Sequence, residues 1–231
     1  MPSRSLRKLV TRLRDIEQLL ENHTIIGGTG RGRRWNLESL NRAGLVLCSA
    51  HLEGFVEDLF EEAGRAVLNS RINVSRVPVE MKLISVSSLA ESVRRSPDRK
   101  DRERALREIL RKAGQLAHPR RQIRKEDIDL KLAVSRFGNP SPREISRLFT
   151  HLGIDNILGR ATWQGMSERT VSTRIKRLVD DRNRIAHGTL GVRVRRDQID
   201  YYRRFLARLG RRLDELVRMH IARVIRRNPW R

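Results

Sequence analysis

Residues 182–187 read Arg182-Asn183-Arg184-Ile185-Ala186-His187, with Gly188 directly after. Two of these side chains suit phosphate chemistry. A guanidinium grips and neutralises a phosphate through paired N–H donors, and an imidazole gives or takes a proton near neutral pH. Their placement singles them out. Upstream, Ile175, Leu178 and Val179 repeat at helical spacing, and the same face then reaches Arg182, Ile185 and Ala186. An arginine on a core-facing stripe is costly unless it meets an anion or hydrogen-bond acceptors. A phosphate is one such anion. A structural role is the alternative, with Arg182 snorkelling to the surface or pairing with Asp180 or Asp181. His187, at the helix end, can equally serve as a simple cap of the last carbonyls. Arg182 and His187 are five positions apart and point roughly 140° apart on an ideal helix. One helix therefore does not close both on a single phosphate. Two copies packed antiparallel about a two-fold axis would place two Arg and two His in one cleft, so a catalytic role predicts a homodimer through the motif helices.

The motif needs a helix over about 168–187, opened by Ser167 or Thr170 and closed by Gly188 in the left-handed position. Other helices are expected around it. Leu6, Leu9, Val10, Leu13, Ile16 and Leu20 form one apolar face over 3–21. A long helix over about 37–69, capped by Asn36, turns Leu45, Leu52, Phe55, Val56, Leu59 and Ala63 inward. A third runs from near Pro78 to Arg95, and Ser96-Pro97 reads as cap and first-turn proline of a fourth reaching about Gly114. Residues 128–134 suit a short strand or a helical turn. Ser141-Pro142-Arg143-Glu144 reads as a capping box for a helix through Thr150, and 153–166 as a loop. Val192 and Val194 alternate with Arg193 and Arg195, so 189–196 suits a short β excursion. A long C-terminal helix over 198–227 completes the chain. The expected fold is all-α, an up-and-down helical bundle forming a single domain over 1–231, with a basic Gly-rich loop at 27–34.

Hydrophobic residues make up 38% of the 231 and charged residues 33%, so a core forms beneath a heavily charged surface. Fifty Lys and Arg against 27 Asp and Glu leave a net charge of +23. That balance points to a polyanionic partner, nucleic acid being the commonest; an Arg preference shared by a whole proteome is the other source of the Arg count. Arg31, Arg33 and Arg34 in the Gly-rich loop, and Arg193, Arg195 and Arg196 before the last helix, are candidate RNA-backbone contacts. Arg184 is a supporting contact or a solvated charge. Aromatics are only 4%, so backbone-dominated, weakly sequence-selective and salt-sensitive binding is expected. Cys48 is the lone cysteine, and with His51 it reads as a helix-face residue without chemistry. His23, His118, His151 and His220 show no metal-ligand spacing, so no metal site and no cofactor is expected. No apolar run approaches the roughly 18 residues of a membrane span, and Met1-Pro2-Ser3-Arg4 lacks the apolar core of a signal peptide; a cytoplasmic location without membrane contact is expected.

With the motif placed, the chain resembles HEPN domain proteins, whose signature is Arg, four to six residues, then His, with a polar residue often after the Arg. Arg182, Asn183 and His187 match it, and Ala186-His187-Gly188 matches a common ending. Residues 42–62, through Leu52-Glu53-Gly54-Phe55, are similar to the second-helix region of the RiboL-PSP-type and toxin-associated groups, and 139–154 to the segment before the motif. The resemblance implies a dimeric helical bundle and a metal-independent endoribonuclease, in which the ribose 2′-OH attacks the adjacent phosphate to leave a 2′,3′-cyclic phosphate. It implies a toxin of a toxin–antitoxin or antiphage defence system, with an acidic antitoxin or a nucleotidyltransferase as partner. Arg182 would stabilise transition-state charge, His187 would move protons, and Asn183 would orient His187 or the phosphate. Glu53 would reach the cleft; as a plain residue it is an exposed acid beside Glu57. A non-catalytic nucleic-acid- or nucleotide-binding scaffold is the alternative. A helical regulator of duplex DNA ranks last, because no helix-turn-helix signal accompanies it.

Overall fold

Every regular element among the described residues is helical. The structure, a computed structural model, describes residues 1–27, 37–189 and 191–230. In chain order the helices are α1 (Arg4–Gly27), α2 (Glu38–Leu68), α3 (Val79–Arg95), α4 (Arg99–Ala117), α5 (Lys131–Val134), α6 (Pro142–Thr150), α7 (Ile157–Arg160), α8 (Glu168–Ala186) and α9 (Arg196–Ile225).

Helix α2 is the hub, because its apolar positions at three- and four-residue spacing are buried along its whole length, from Leu45 through Phe55 and Phe60 to Val67. Helices α1, α8 and α9 pack on it, while α3 and α4 pair as a separate hairpin. The start of α1 is pinned by acids, as a helix N-terminus with free N–H groups favours: Glu62 accepts from the Arg4 and Ser5 amides at 2.9 and 2.8 Å, and buried Asp214 accepts from Ser3 at 3.3 Å. Close approach of α1 to α9 depends on Gly210, where a β-carbon would fall 2.4 Å from Leu9 Cδ2.

Several boundaries differ from the sequence expectation. Helix α1 runs on to Gly27 rather than stopping near residue 21. Helix α4 starts at Arg99, because Asp98 and not Ser96 caps it, its carboxylate accepting from the Lys100 amide at 2.8 Å. Pro97 thus precedes the cap, and α4 continues past Gly114 to Ala117. Residues 131–134 form a helical turn and not a strand. The 153–166 stretch holds α7, opened by Asn156 in the left-handed conformation. The alternation at 192–195 is real in burial, with Val192 and Val194 buried and Arg193 and Arg195 exposed. It forms no ladder among the described residues, because no neighbouring strand lies alongside to accept its hydrogen bonds. Asn36 and the Gly-rich loop at 28–34 lie outside the described residues.

Candidate functional site

Helix α8 is built to deliver its C-terminal end to α2. Ser167 caps its start by accepting from the Thr170 amide at 3.3 Å, and Val171, Ile175, Leu178 and Val179 bury its inner face. The same face then presents Arg182, and α2 meets it with Glu53. The Arg182 Nη2 donates to Glu53 Oε2 at 3.2 Å, and its Nη1 donates to Asn183 Oδ1 at 3.0 Å. Both members of the ion pair are about a quarter exposed, 27% for Arg182 and 24% for Glu53. Arg182 therefore does not pair with its sequence neighbours. Asp180 is held by Lys176 at 2.5 Å, and Asp181 lies 3.7 Å from Arg184 and accepts from Gln198 at 3.5 Å.

The acid side of this contact extends along α2. Glu57 lies one turn beyond Glu53. Burial raises its carboxyl above the ordinary value, and the negative charges of Glu53, Asp58 and Glu61 push it further up, against a smaller lowering by Arg12. Asp58 and Glu61 are matched by Lys8, Arg12 and Arg65. Arg182 is thus the cation from α8 set against an acid-rich helix face.

The motif ends in a Schellman turn. The Gly188 amide donates to Ile185 O at 3.1 Å and the Thr189 amide to Arg184 O at 2.9 Å, with Gly188 at φ +68°. His187 occupies the C-cap position, its amide donating to Asn183 O at 2.9 Å. Its imidazole is exposed and makes no hydrogen bond or ion pair among the described residues. The backbone therefore fixes where His187 emerges, while its ring faces solvent.

A family model described as RiboL-PSP-HEPN matches residues 7–218. The chain belongs to the RiboL-PSP-HEPN family. None of the curated proteins and none of the solved structures compared with the chain matches it.

Within this RiboL-PSP-HEPN chain the expected site residues divide clearly. Arg182, Asn183 and Glu53 come together in one hydrogen-bonded group. Asn183 accepts from the Arg182 guanidinium through its amide oxygen. Glu53 is not an exposed acid but a half-buried partner. Arg184 points outward beside Asp181. Arg193, Arg195 and Arg196 are exposed, and Arg195 is already bound by both oxygens of Asp197 at 2.9 and 2.5 Å. Arg31, Arg33 and Arg34 lie outside the described residues. Among the described residues, no group of three His, Cys, Asp or Glu side chains is placed to hold a metal ion. Burial pushes the Cys48 thiol up to about 12, so it carries no thiolate at neutral pH. His51 sits between α1 and α2, 3.9 Å from Asp15.

One grouping has no counterpart in the sequence reading. Trp163, Tyr201, Tyr202 and Phe205 cluster where the loop after α7 meets α9, with Arg174 over Tyr201 and Arg208 over Trp163. The spacing of Tyr201 and Phe205, four apart on one helix, is the only local signal for it.

Proposed function

We propose that the chain is a metal-independent endoribonuclease of the HEPN type, acting as a homodimer through α8. In this reading the ribose 2′-oxygen forms a bond to the adjacent phosphorus as the bond to the 5′-oxygen breaks. The 2′-hydroxyl proton leaves to a base, the 5′-oxygen gains a proton, and a 2′,3′-cyclic phosphate and a 5′-hydroxyl result. Arg182 stabilises the charge that gathers on the phosphoryl oxygens. His187 takes part in the proton transfers. Glu53 and Asn183 hold the guanidinium in place.

The observation that carries the reading is the half-buried Arg182, fastened to Glu53 at the end of a core stripe, five residues before an imidazole left open to solvent. Within one chain the two groups face different ways, so a second copy of α8 completes the pocket. The family match and the net charge of +23 support RNA as substrate. A cytoplasmic toxin of a toxin–antitoxin or antiphage defence system fits the same features. An acidic antitoxin or a nucleotidyltransferase neighbour would complement the charge.

The test is incubation of purified protein with total RNA in EDTA, followed by mapping of the ends. Cyclic-phosphate ends that vanish in Arg182→Ala and His187→Ala, with the fold retained, are expected. Unchanged cleavage in both variants refutes the site. One observation favours a second reading: Glu53 already matches the charge of Arg182 within the single chain. A non-catalytic scaffold binding nucleic acid or nucleotide would use that pair structurally, and would bind RNA in the same assay without cutting it.

A further inference from the structure

The chain has three Trp, two Tyr and five Phe, and Trp163, Tyr201, Tyr202 and Phe205 stand in one cluster on the α9 side of α8. Tyr201 and Phe205 stack with ring centroids 6.5 Å apart and planes within 6° of parallel, and Trp163 leans on Phe205 at 6.1 Å. Phe205 is buried, whereas Trp163 and Tyr201 are only half-buried. Each half-buried ring is overlaid by a guanidinium. Arg174 Cζ lies 4.8 Å from the Tyr201 centroid, and Arg208 Cζ lies 5.0 Å from the Trp163 centroid.

These two arginines differ from Arg203 and Arg204 in having a ring, and no carboxylate, as neighbour. On α9, the helix of Arg208, Arg203 and Arg204 are both bound by Asp200. Neither Arg174 nor Arg208 has a carboxylate partner among the described residues. Their charge meets no carboxylate among the described residues, and each guanidinium rests on the ring beneath it. A guanidinium anchored in this way loses little rotamer freedom when a second flat group settles on its outer face. Core packing alone does not explain the cluster: the Tyr201 Oη is buried without a hydrogen-bond partner, and a Phe at that position would pack without orphaning a hydroxyl.

Along α8 the cluster lies about two turns before the candidate site. Helices α8 and α9 run antiparallel here, with Gln198 reaching Asp181 and Tyr201 reaching Arg174. Arg174 lies eight residues before Arg182 on α8, about 12 Å along the axis at the α-helical rise. That is a span of a few nucleotides along one strand.

We infer that Arg174, Arg208, Tyr201 and Trp163 form a base-stacking subsite for single-stranded RNA, adjoining the Arg182 site. Unpaired bases lie flat on the guanidinium planes, as exposed bases do on arginine and aromatic faces. The subsite selects strands whose bases are unstacked and free, and excludes duplex, whose bases are buried in their own helix. The inference rests on the ribonuclease reading for its substrate class, yet it is measured by binding alone.

The experiment uses the full chain and two probes that lack a free 2′-hydroxyl: a ten-nucleotide 2′-O-methyl oligo(U) RNA, whose bases stack weakly on one another, and an abasic strand of the same length and charge. The wild type is expected to bind the base-bearing probe about tenfold or more tighter than the abasic one, the range that stacking of one or two bases supplies. Arg174→Lys with Arg208→Lys keeps both charges and removes both planes. It should bring that ratio close to one while leaving affinity for the abasic strand within about twofold of wild type. Arg208→Lys alone, at an exposed position, should lower the ratio part of the way without disturbing the fold. A ratio that the Lys variants leave at its wild-type value overturns the inference, as does a wild-type ratio near one. A protein that cuts no RNA yet shows the expected ratios refutes the ribonuclease reading and leaves this subsite standing. A protein that cuts RNA with a ratio near one does the reverse.

Discussion

Glu53→Gln keeps the size of the side chain and deletes the charge that faces Arg182 across 3.2 Å. Two effects follow, of different size. For stability, the pair is about a quarter exposed on both sides, so water screens it. Its loss costs about 1 kcal/mol, at the top of the range for exposed pairs and well below that for breaking a buried one. For a domain of this length that lowers Tm by about 2–4 °C. For activity, under the proposed ribonuclease function, Arg182→Ala would remove the donor aimed at the developing phosphate charge, with an expected loss of about 100- to 1000-fold in kcat/KM. Glu53→Gln leaves the donor present, held by Asn183 Oδ1 at 3.0 Å and by a neutral amide oxygen in place of the carboxylate, and up to about tenfold is expected from the weakened orientation. The decisive measurement is the double-mutant cycle, with cleavage of a fluorogenic RNA followed in Glu53→Gln, Arg182→Ala and the double variant. If Glu53 acts by holding Arg182, its substitution does nothing further once Arg182 is gone, and the double variant matches Arg182→Ala. Additive losses, agreeing within about 0.5 kcal/mol, would refute the positioning role.

Gly188→Ala tests the end of the motif. A β-carbon there meets nothing within 4 Å, so the left-handed backbone alone sets a cost of about 1 kcal/mol; a fall in Tm of about 2–4 °C together with reduced cleavage is expected, and an unchanged melt counts against the Schellman turn. Acid should destabilise the fold through three half-buried imidazoles. Burial lowers His51, His151 and His220 below the ordinary 6.5, so as pH falls through that value the unfolded chain takes up protons that the folded chain refuses, and stability drops. Tm measured between about pH 7.5 and 5 should decline, and His220→Gln should flatten the decline. RNA affinity should fall steeply with salt. Arg193→Ala and Arg196→Ala should each reduce the slope of log K against log salt by about 0.7, and Arg195→Ala by less, because Asp197 already neutralises it; equal effects at the three positions would contradict that ion pair.

The helix that carries the candidate site was legible because its determinants are local. The stripe from Val171 through Ile175 and Leu178 to Arg182, the Ser167 cap and the Gly188 stop all act within a turn or two of helix, where periodicity and capping chemistry apply directly. The same local rules misplaced the start of α4, since Ser96-Pro97 and Asp98 offer competing caps and the carboxylate prevailed. They also read a strand into 189–196. Alternation reports which side chains are buried, but a strand needs a partner for its backbone, and none lies beside it among the described residues.

By itself the amino-acid sequence determined the helical class, the basic surface, and an arginine and a histidine at the end of one amphipathic helix. Only the tertiary structure decided what Arg182 touches. Its partner Glu53 lies 129 residues away, and nothing in spacing distinguishes that acid from Asp180 or Asp181. The aromatic cluster is the same case: Trp163 lies in the loop after α7, Arg174 on α8, and Tyr201 and Arg208 on α9, and tertiary packing brings the three segments into contact. Charge and ring contacts act over a few ångströms, whereas sequence periodicity reports only which face of an element is apolar. The choice of partner therefore belongs to the packing of helices on α2.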